Sequence, residues 1–350
     1  MRSDQLWFVV NRFHGKRTNR ELKHELKYRN KAAKFDQEKV DMFKTYFEEV
    51  YDNKPHNCIQ YFDIDREIKQ EIDRLTKIKT FTHPKITENE LKKSILKLGN
   101  TAVGHDGVHN KCLKKYTKSL SHHLPALFNS SLKLGVIPPQ WKLAHIILIQ
   151  KPDKDPNDPT TYRPISLDKL MERLVEQMLN EFAEQHHLLP NYQAGFRQQR
   201  STTDNLLHLK HDVDVNLYKN KQTALIVFDN KRAFDSVWFN GLLHKLKKMN
   251  VPEYLWIWIC QFLSDRKALI EYKYTISTTF TMRRGTPQGS PLLPLLYILF
   301  TSDSLFTIPS HSNSNLFADD TALWSSANTT KSLSIRLQES VDEFVKWCRL

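Results

Sequence analysis

Three aspartates in apolar surroundings constrain this chain more than any other feature. Ala224–Phe228 is a short apolar run that ends in Asp229, and Asp319-Asp320 follow Phe317-Ala318 in a turn flanked by apolar residues. A short apolar run of this kind reads as a buried strand, here a central one. An acid at its end is held on a rigid element, where a metal ligand belongs. Two adjacent acids beside buried strands repel each other and lose hydration. A divalent cation shared with Asp229 relieves both costs, and Mg²⁺ takes its oxygens from one or two carboxylates plus substrate phosphates. Each site read alone is equally a helix cap or a turn. Read together, they call for a sheet that sets them side by side.

The rest of the chain supplies elements for such a sheet. Residues 1–80 read as basic and helical, with Phe43, Tyr46, Phe47 and Val50 on one buried stripe. Thr87 and Glu90 form a capping-box pattern ahead of Leu91, Ile95 and Leu98, and Gly99 ends that helix. Ala144–Ile149 reads as a strand, and the proline-rich Lys151–Pro164 as loop. A helix is expected from about Ser166 to His187, with Leu170, Leu174, Met178 and Phe182 on one face. Leu242, Leu246 and Met249 mark another. Ala268–Thr275 and Thr279–Arg284 read as paired strands, and Ser314–Ser325 as a hairpin with the two acids at its tip. Leu333, Leu337, Val341, Phe344 and Cys348 share a final helical stripe. Strands and helices alternate irregularly, which predicts an α+β domain with a largely antiparallel sheet.

Charge narrows the partner. The 350 residues carry a formal net charge of +13, with ten Lys/Arg against three Asp/Glu in residues 1–34. Such a balance suits a polyanion, either nucleic acid or an anionic membrane. The longest apolar runs, Ala144–Ile149 and Pro291–Phe300, are too short or too proline-broken to span a bilayer. Nucleic acid is therefore the expected partner, with no membrane. The four cysteines, Cys58, Cys112, Cys260 and Cys348, stand far apart and suggest neither a zinc site nor a disulfide framework.

Several segments, in order, resemble the reverse transcriptases of non-LTR (LINE-type, jockey-like) retrotransposons. They are Gly104–Gly107, Tyr162-Arg163-Pro164-Ile165-Ser166, Gln193-Ala194-Gly195-Phe196-Arg197 with Ser201-Thr202, Asp229–Asp235, Gly285–Ser290 and Phe317–Asp320. The resemblance runs from about Ile86 onward. It implies a right-hand polymerase in which residues 1–85 are a basic spacer, 86–221 the fingers and 222–350 the palm. It also implies an RNA template, a DNA primer or target, dNTPs, and two Mg²⁺ ions with Mn²⁺ as a substitute. Catalytic roles fall on Asp229, Asp319 and Asp320, and Asn230 joins the metal set. Arg163, Lys151, Ala233, Phe234, Gln288 and Gly289 would bind the nucleotide, Phe234 as the steric gate against a 2′-hydroxyl. Gln193, Gly195, Phe196 and Arg197 would meet template and primer. The residues alone leave two readings open for Phe234, gate or core, and two for Gln193–Arg197, template contact or structural loop.

The sequence also departs from that pattern. His105 stands where proline is usual, Gln150 where proline often precedes Lys-Pro, and Arg232 where lysine is frequent, while Pro291 and Leu293 alter the run after Pro-Gln-Gly-Ser. The thumb that the resemblance predicts after Trp347-Cys348 is missing from this sequence, and so is an endonuclease, which would be encoded elsewhere in the element. Two alternatives therefore stand beside an active polymerase: a nucleic-acid-binding remnant without catalysis, and a group II intron-type maturase. The family's mode of insertion implies the nucleus, with a cytoplasmic ribonucleoprotein stage.

Overall fold

The computed structural model describes residues 25–52, 59–99, 108–166, 170–230, 232–272, 275–285 and 289–349. The basic residues 1–24, the loop Gly104–Gly107 and Gln288 lie outside them. The described chain begins with strands β1 (Leu26–Tyr28) and β2 (Lys31–Ala33), then helices α1 (Asp36–Tyr51), α2 (Ile59–Leu75), α3 (Glu88–Leu96), α4 (Asn110–Lys115) and α5 (Thr117–Leu134). Strands β3 (Leu143–Gln150) and β4 (Tyr162–Ser166) follow, then α6 (Leu170–Gln185), α7 (Thr202–Tyr218), β5 (Gln222–Phe228), α8 (Phe239–Lys248) and α9 (Glu253–Leu263). The remainder is β6 (Arg266–Tyr272), β7 (Thr275–Ile276), β8 (Phe280–Met282), α10 (Leu292–Phe300), β9 (Ser312–Phe317), β10 (Asp320–Ala327) and α11 (Thr330–Cys348). This is the expected mixture of helices with sheets. The chain divides into two compact units, Met1–Met178 with Trp238–Leu293, and Leu179–Val237 with Pro294–Leu350.

The first unit is built on a sheet of order β4-β3-β6-β7, with β8 also on β6. Only the β3–β6 pair is parallel among these. Ala144, Ile146 and Leu148 of β3 and Ala268, Ile270 and Tyr272 of β6 bury their side chains against Phe43, Phe47, Val50 and Tyr51 of α1. The aromatic stripe expected on α1 is thus its core-facing side. The capping box at α3 forms as read. Thr87 Oγ1 accepts from the Glu90 N–H at 3.3 Å, and the Glu90 carboxylate accepts from the Thr87 N–H at 2.8 Å. Helix α9 buries residues on every side, as its nearly unbroken apolar sequence requires. Its Trp258 Nε1–H still finds the Ser131 hydroxyl at 3.1 Å.

Four local expectations are corrected. Residues 26–33 form a hairpin, not helix, because Arg29 and Asn30 both take positive φ (46° and 60°). That is the signature of a type I′ turn, normally written Asn-Gly, and Arg-Asn disguises it. Tyr162–Pro164 belong to strand β4, not to the loop. Pro164 is tolerated because β4 is an edge strand, where a missing N–H costs no ladder bond. The buried face of α6 is Met171, Leu174, Val175, Leu179 and Ala183, so Leu170, Met178 and Phe182 only flank it. Finally, β5 is an edge strand and not a central one.

The second unit carries the antiparallel sheet β5-β10-β9. One face packs on α11, through Ala224 and Ile226 with Leu333 and Leu337 and through Phe228 with Phe344. On the other face α7 makes mostly polar contacts. Asp212 accepts from Trp324 Nε1–H at 2.9 Å and from the Asn313 amide at 2.5 Å. Asn205 donates to the Leu316 carbonyl at 3.0 Å, and Asn315 donates to the Asn205 carbonyl at 3.0 Å. Leu225 and Val227, on the edge strand, remain exposed.

Candidate active site

The second unit brings the three sequence-predicted acids to one end of one sheet. In the β5–β10 ladder Phe228 pairs with Thr321, so Asp229 and Asp320 are the next residues out along the two strands. Phe317 pairs with Asp320 across β9–β10, leaving Ala318 and Asp319 as the two residues of the turn. Ala318 has φ +60°. A positive φ at the first of two central residues matches a type II′ turn, a position where glycine is usual.

Electrostatics sets Asp319 apart. Burial lifts its carboxyl above the ordinary aspartate range, and the like charges of Asp320 and Asp229 add to the lift. Asp319 therefore feels both neighbouring acids from a partly desolvated position. Asn230 donates to the Asp319 main-chain carbonyl at 3.1 Å, linking the end of β5 to the turn. Among the described residues no three His, Cys, Asp or Glu side chains converge as a preformed metal cage. The donor set is nevertheless all oxygen and net negative, which fits a hard cation that keeps waters and substrate phosphates in its shell.

Phe234 follows Asp229 by five residues and opens a short 3₁₀ turn, Phe234–Ser236. Its ring lies 4.4 Å from that of Tyr297 and 6.0 Å, edge-on, from that of Phe196. Tyr297 in turn lies in the field of the acids. Burial, then the charges of Asp319 and Asp320, push its phenol pKa up. Tyr297 sits in the apolar run Pro291–Phe300, which from sequence reads only as core. Its hydroxyl was the available signal.

Residues 149–350, more than half of the chain, match the family of reverse transcriptases (RNA-dependent DNA polymerases). The chain belongs to this family. A probable RNA-directed DNA polymerase from transposon BS of Drosophila melanogaster is 35% identical over 70% of this chain and 28% of its own length. The RNA-directed DNA polymerase from mobile element jockey of the same organism is 34% identical over 75% of this chain and 30% of its own. A probable RNA-directed DNA polymerase from transposon X-element is 31% identical over 71% and 28%. All three relatives are named as polymerases of transposons or mobile elements, jockey among them. The chain spans less than a third of the length of these curated relatives.

The remaining predicted residues of this reverse transcriptase fall as follows. In the QAGFR segment, Gln193 and Arg197 spend their polar groups inside the protein. Arg197 forms a two-pronged pair with Glu184 at 3.0 and 2.7 Å and donates to the Pro190 carbonyl at 2.9 Å. That pairing holds the Glu184 carboxyl below its usual range. Phe196 is exposed, with φ +59°. Lys151, Arg163 and Gly289 belong to the first unit. Lys151 follows β3, its N–H donating to the Thr161 carbonyl at 2.9 Å, and the Arg163 backbone pairs with Ile149 in the same hairpin. Gly289 has φ +111°, a backbone that only glycine takes without strain.

One acid escaped the sequence reading. Glu172 is buried on α6, and its carboxylate accepts from the hydroxyl of Ser290, the serine of Pro-Gln-Gly-Ser. Fully buried Arg266 lies in the field of Glu172, its guanidinium 4.2 Å from the Phe262 ring centre. A glutamate on the helix face shared with Val175, Leu179 and Ala183 was the visible signal. Glu172→Ala is expected to lower unfolding free energy by about 2–3 kcal/mol, because it leaves a buried hydroxyl without its acceptor and a buried cation without counter-charge. Glu172→Gln, which keeps an acceptor oxygen, is expected to lose less. Urea denaturation of both variants checks the order, and equal losses would contradict it.

Proposed function

We propose that this chain is the polymerase part of a non-LTR retrotransposon reverse transcriptase. It would add dNTPs to a primer 3′-hydroxyl on an RNA template. The observation that carries the reading is the meeting of Asp229, Asp319 and Asp320 at one end of an antiparallel sheet, with Asp319 desolvated among like charges. That arrangement suits a palm over residues 222–350, and residues 86–221, with Lys151 and Arg163, would form the fingers. Asp229 and Asp319 would hold the metals, with Asp320 supporting and Asn230 contributing through its backbone. Two Mg²⁺ ions held there would activate the attacking hydroxyl and neutralise the leaving pyrophosphate; Mn²⁺ would substitute.

The chain's own residues do the positioning, which carries most of phosphoryl transfer. Phe234 and Ala233 would line the sugar pocket. The forked guanidinium of Arg163 and the point charge of Lys151 would meet the triphosphate. Gln288 and Gly289, of the Pro-Gln-Gly-Ser segment, would contact the incoming nucleotide, with Gln288 also meeting template-side groups. Within the QAGFR segment the exposed Phe196 is the residue offered to template or primer. The basic charge of the chain would supply salt-sensitive affinity for the nucleic acid backbone. Among the described residues no helix is long and apolar enough to cross a membrane. An endonuclease from the same element would cut the target, and the site of action would be the nucleus, after a cytoplasmic ribonucleoprotein stage.

Primer extension on poly(rA)/oligo(dT) with dTTP and Mg²⁺ tests the activity. Template-dependent extension, lost on adding EDTA and restored by Mg²⁺ or Mn²⁺, is the expected result. Binding of the primer–template with no extension under either cation would overturn the catalytic reading and leave a binding remnant.

A further inference from the structure

The turn that carries Asp319 does not stand alone. Residues Tyr192–Gly195 lie against it. The Leu316 N–H donates to the Tyr192 carbonyl at 2.7 Å, and the Ala194 N–H donates to the Leu316 carbonyl at 3.0 Å. Gln193 thus pairs with Leu316 as an isolated parallel bridge. The Gln193 side chain is completely buried. Its Oε1 accepts from the Ala318 N–H at 3.1 Å and from the Gly195 N–H at 2.8 Å, and its Nε2 approaches the Ala318 carbonyl at 3.4 Å. Gly195 closes the same contact. A Cβ built there would stand 2.1 Å from the Ala318 nitrogen and 2.9 Å from the Ala318 Cα. Both are backbone atoms that no rotamer change can move aside.

The geometry points to Gln193 as a positioning residue for the catalytic turn. We infer that its amide, with Gly195 beneath, clamps Ala318 in a left-handed conformation and so fixes where Asp319 and Asp320 stand. The observation behind this is a strained residue with its partners in place. Ala318 carries φ +60° without being glycine, which an alanine adopts only when its surroundings over-determine it. The inference rests on the metal-binding reading of Asp319. It also gives the QAGFR segment a job inside the protein, where the sequence left template contact and structural loop both open. The one segment joins clamp and pocket, since Phe196 follows Gly195 directly and its ring meets that of Phe234.

Hydrogen exchange and Mn²⁺ binding on the whole chain test it. Gln193→Met keeps the length of the side chain and removes both polar contacts. It is expected to speed exchange at the Ala318 amide selectively, with the flanking β9 and β10 amides unchanged. It is also expected to weaken Mn²⁺ binding, followed by electron paramagnetic resonance, about 10-fold, as loss of a group that orients a metal ligand does. Ala318→Gly removes the strain that the clamp holds. In that background the same Gln193→Met change should cost no more than about 3-fold, a non-additivity reserved for residues acting through one another. Unchanged Ala318 exchange, faster exchange across the whole second unit, or an equal Mn²⁺ loss in both backgrounds would each overturn the clamp. Asp319→Asn serves as the separate control. If it binds Mn²⁺ as the wild type does, the metal reading fails, while the exchange arm still judges the clamp.

Discussion

Asp319→Asn is expected to reduce primer extension by about 10³-fold or more and yet raise the melting temperature of the metal-free protein. The first half follows from the assigned role. A metal ligand at the reacting phosphate supplies several kcal/mol of charge stabilisation, and about 4 kcal/mol is three decades of rate. The second half follows from the cost of holding the site ready. Burial, then Asp320 and Asp229, raise the Asp319 carboxyl above its ordinary value. A raised carboxyl pKa means the folded chain prefers the neutral acid. Its destabilisation is absent below the unfolded pKa, grows as pH rises through the folded value, and is complete at neutral pH. The amide removes that cost, so the variant should gain stability at pH 7 and gain nothing at pH 3. Divalent cation reverses the order, since ligand that binds only the folded wild type stabilises it by mass action. Thermal unfolding with and without Mg²⁺, beside extension assays of both proteins, checks all three statements. An Asp319→Asn protein that still extends would end the catalytic assignment. One that melts lower without metal would end the electrostatic one.

The acids were legible because each is marked within a few residues. Asp229 ends a clean apolar run, and Asp319-Asp320 form an adjacent pair at the turn of the hairpin read over Ser314–Ser325. Strand β3, the capping box at Thr87 and the aromatic stripe of α1 were readable for the same local reason. What failed to show was set by partners far away in sequence. Gln193 and Gly195 read as a template contact or a structural loop until the Ala318 backbone is seen beside them. Arg197 looks like a phosphate ligand until Glu184 takes its guanidinium. Whether β5 lies inside or at the edge of its sheet is a matter of which strands pair, and an apolar pentapeptide does not carry that. The hairpin at Arg29-Asn30 was hidden for a different reason. Its turn residues, Arg29-Asn30, are not the usual Asn-Gly, so the local rule pointed elsewhere. Glu172 was a buried partner that the residues did announce, as a charge written into an apolar helix face.

Phe234 carries the other large expectation, and it decides between the two readings its sequence leaves open. Its ring is held on two sides, 4.4 Å from Tyr297 and 6.0 Å from Phe196. Side chains confined in this way cannot swing aside to admit an extra atom, because packed surroundings transmit strain and do not absorb it. If the ring lies beneath the sugar of an incoming nucleotide, a 2′-hydroxyl meets it directly. Phe234→Ala should then raise the ratio of ribonucleotide to deoxyribonucleotide kcat/KM by on the order of 100-fold, about the discrimination that steric exclusion of a single hydroxyl can provide. Truncating a partly buried ring also costs stability, so Phe234→Val serves as the milder companion and should show the same direction. A core residue behaves otherwise. Both variants would melt earlier and extend more slowly with either sugar, and the ratio would stay where it was. The ratio, not the rate, is therefore the quantity to measure, since loss of fold lowers both numerator and denominator while loss of a gate moves them apart.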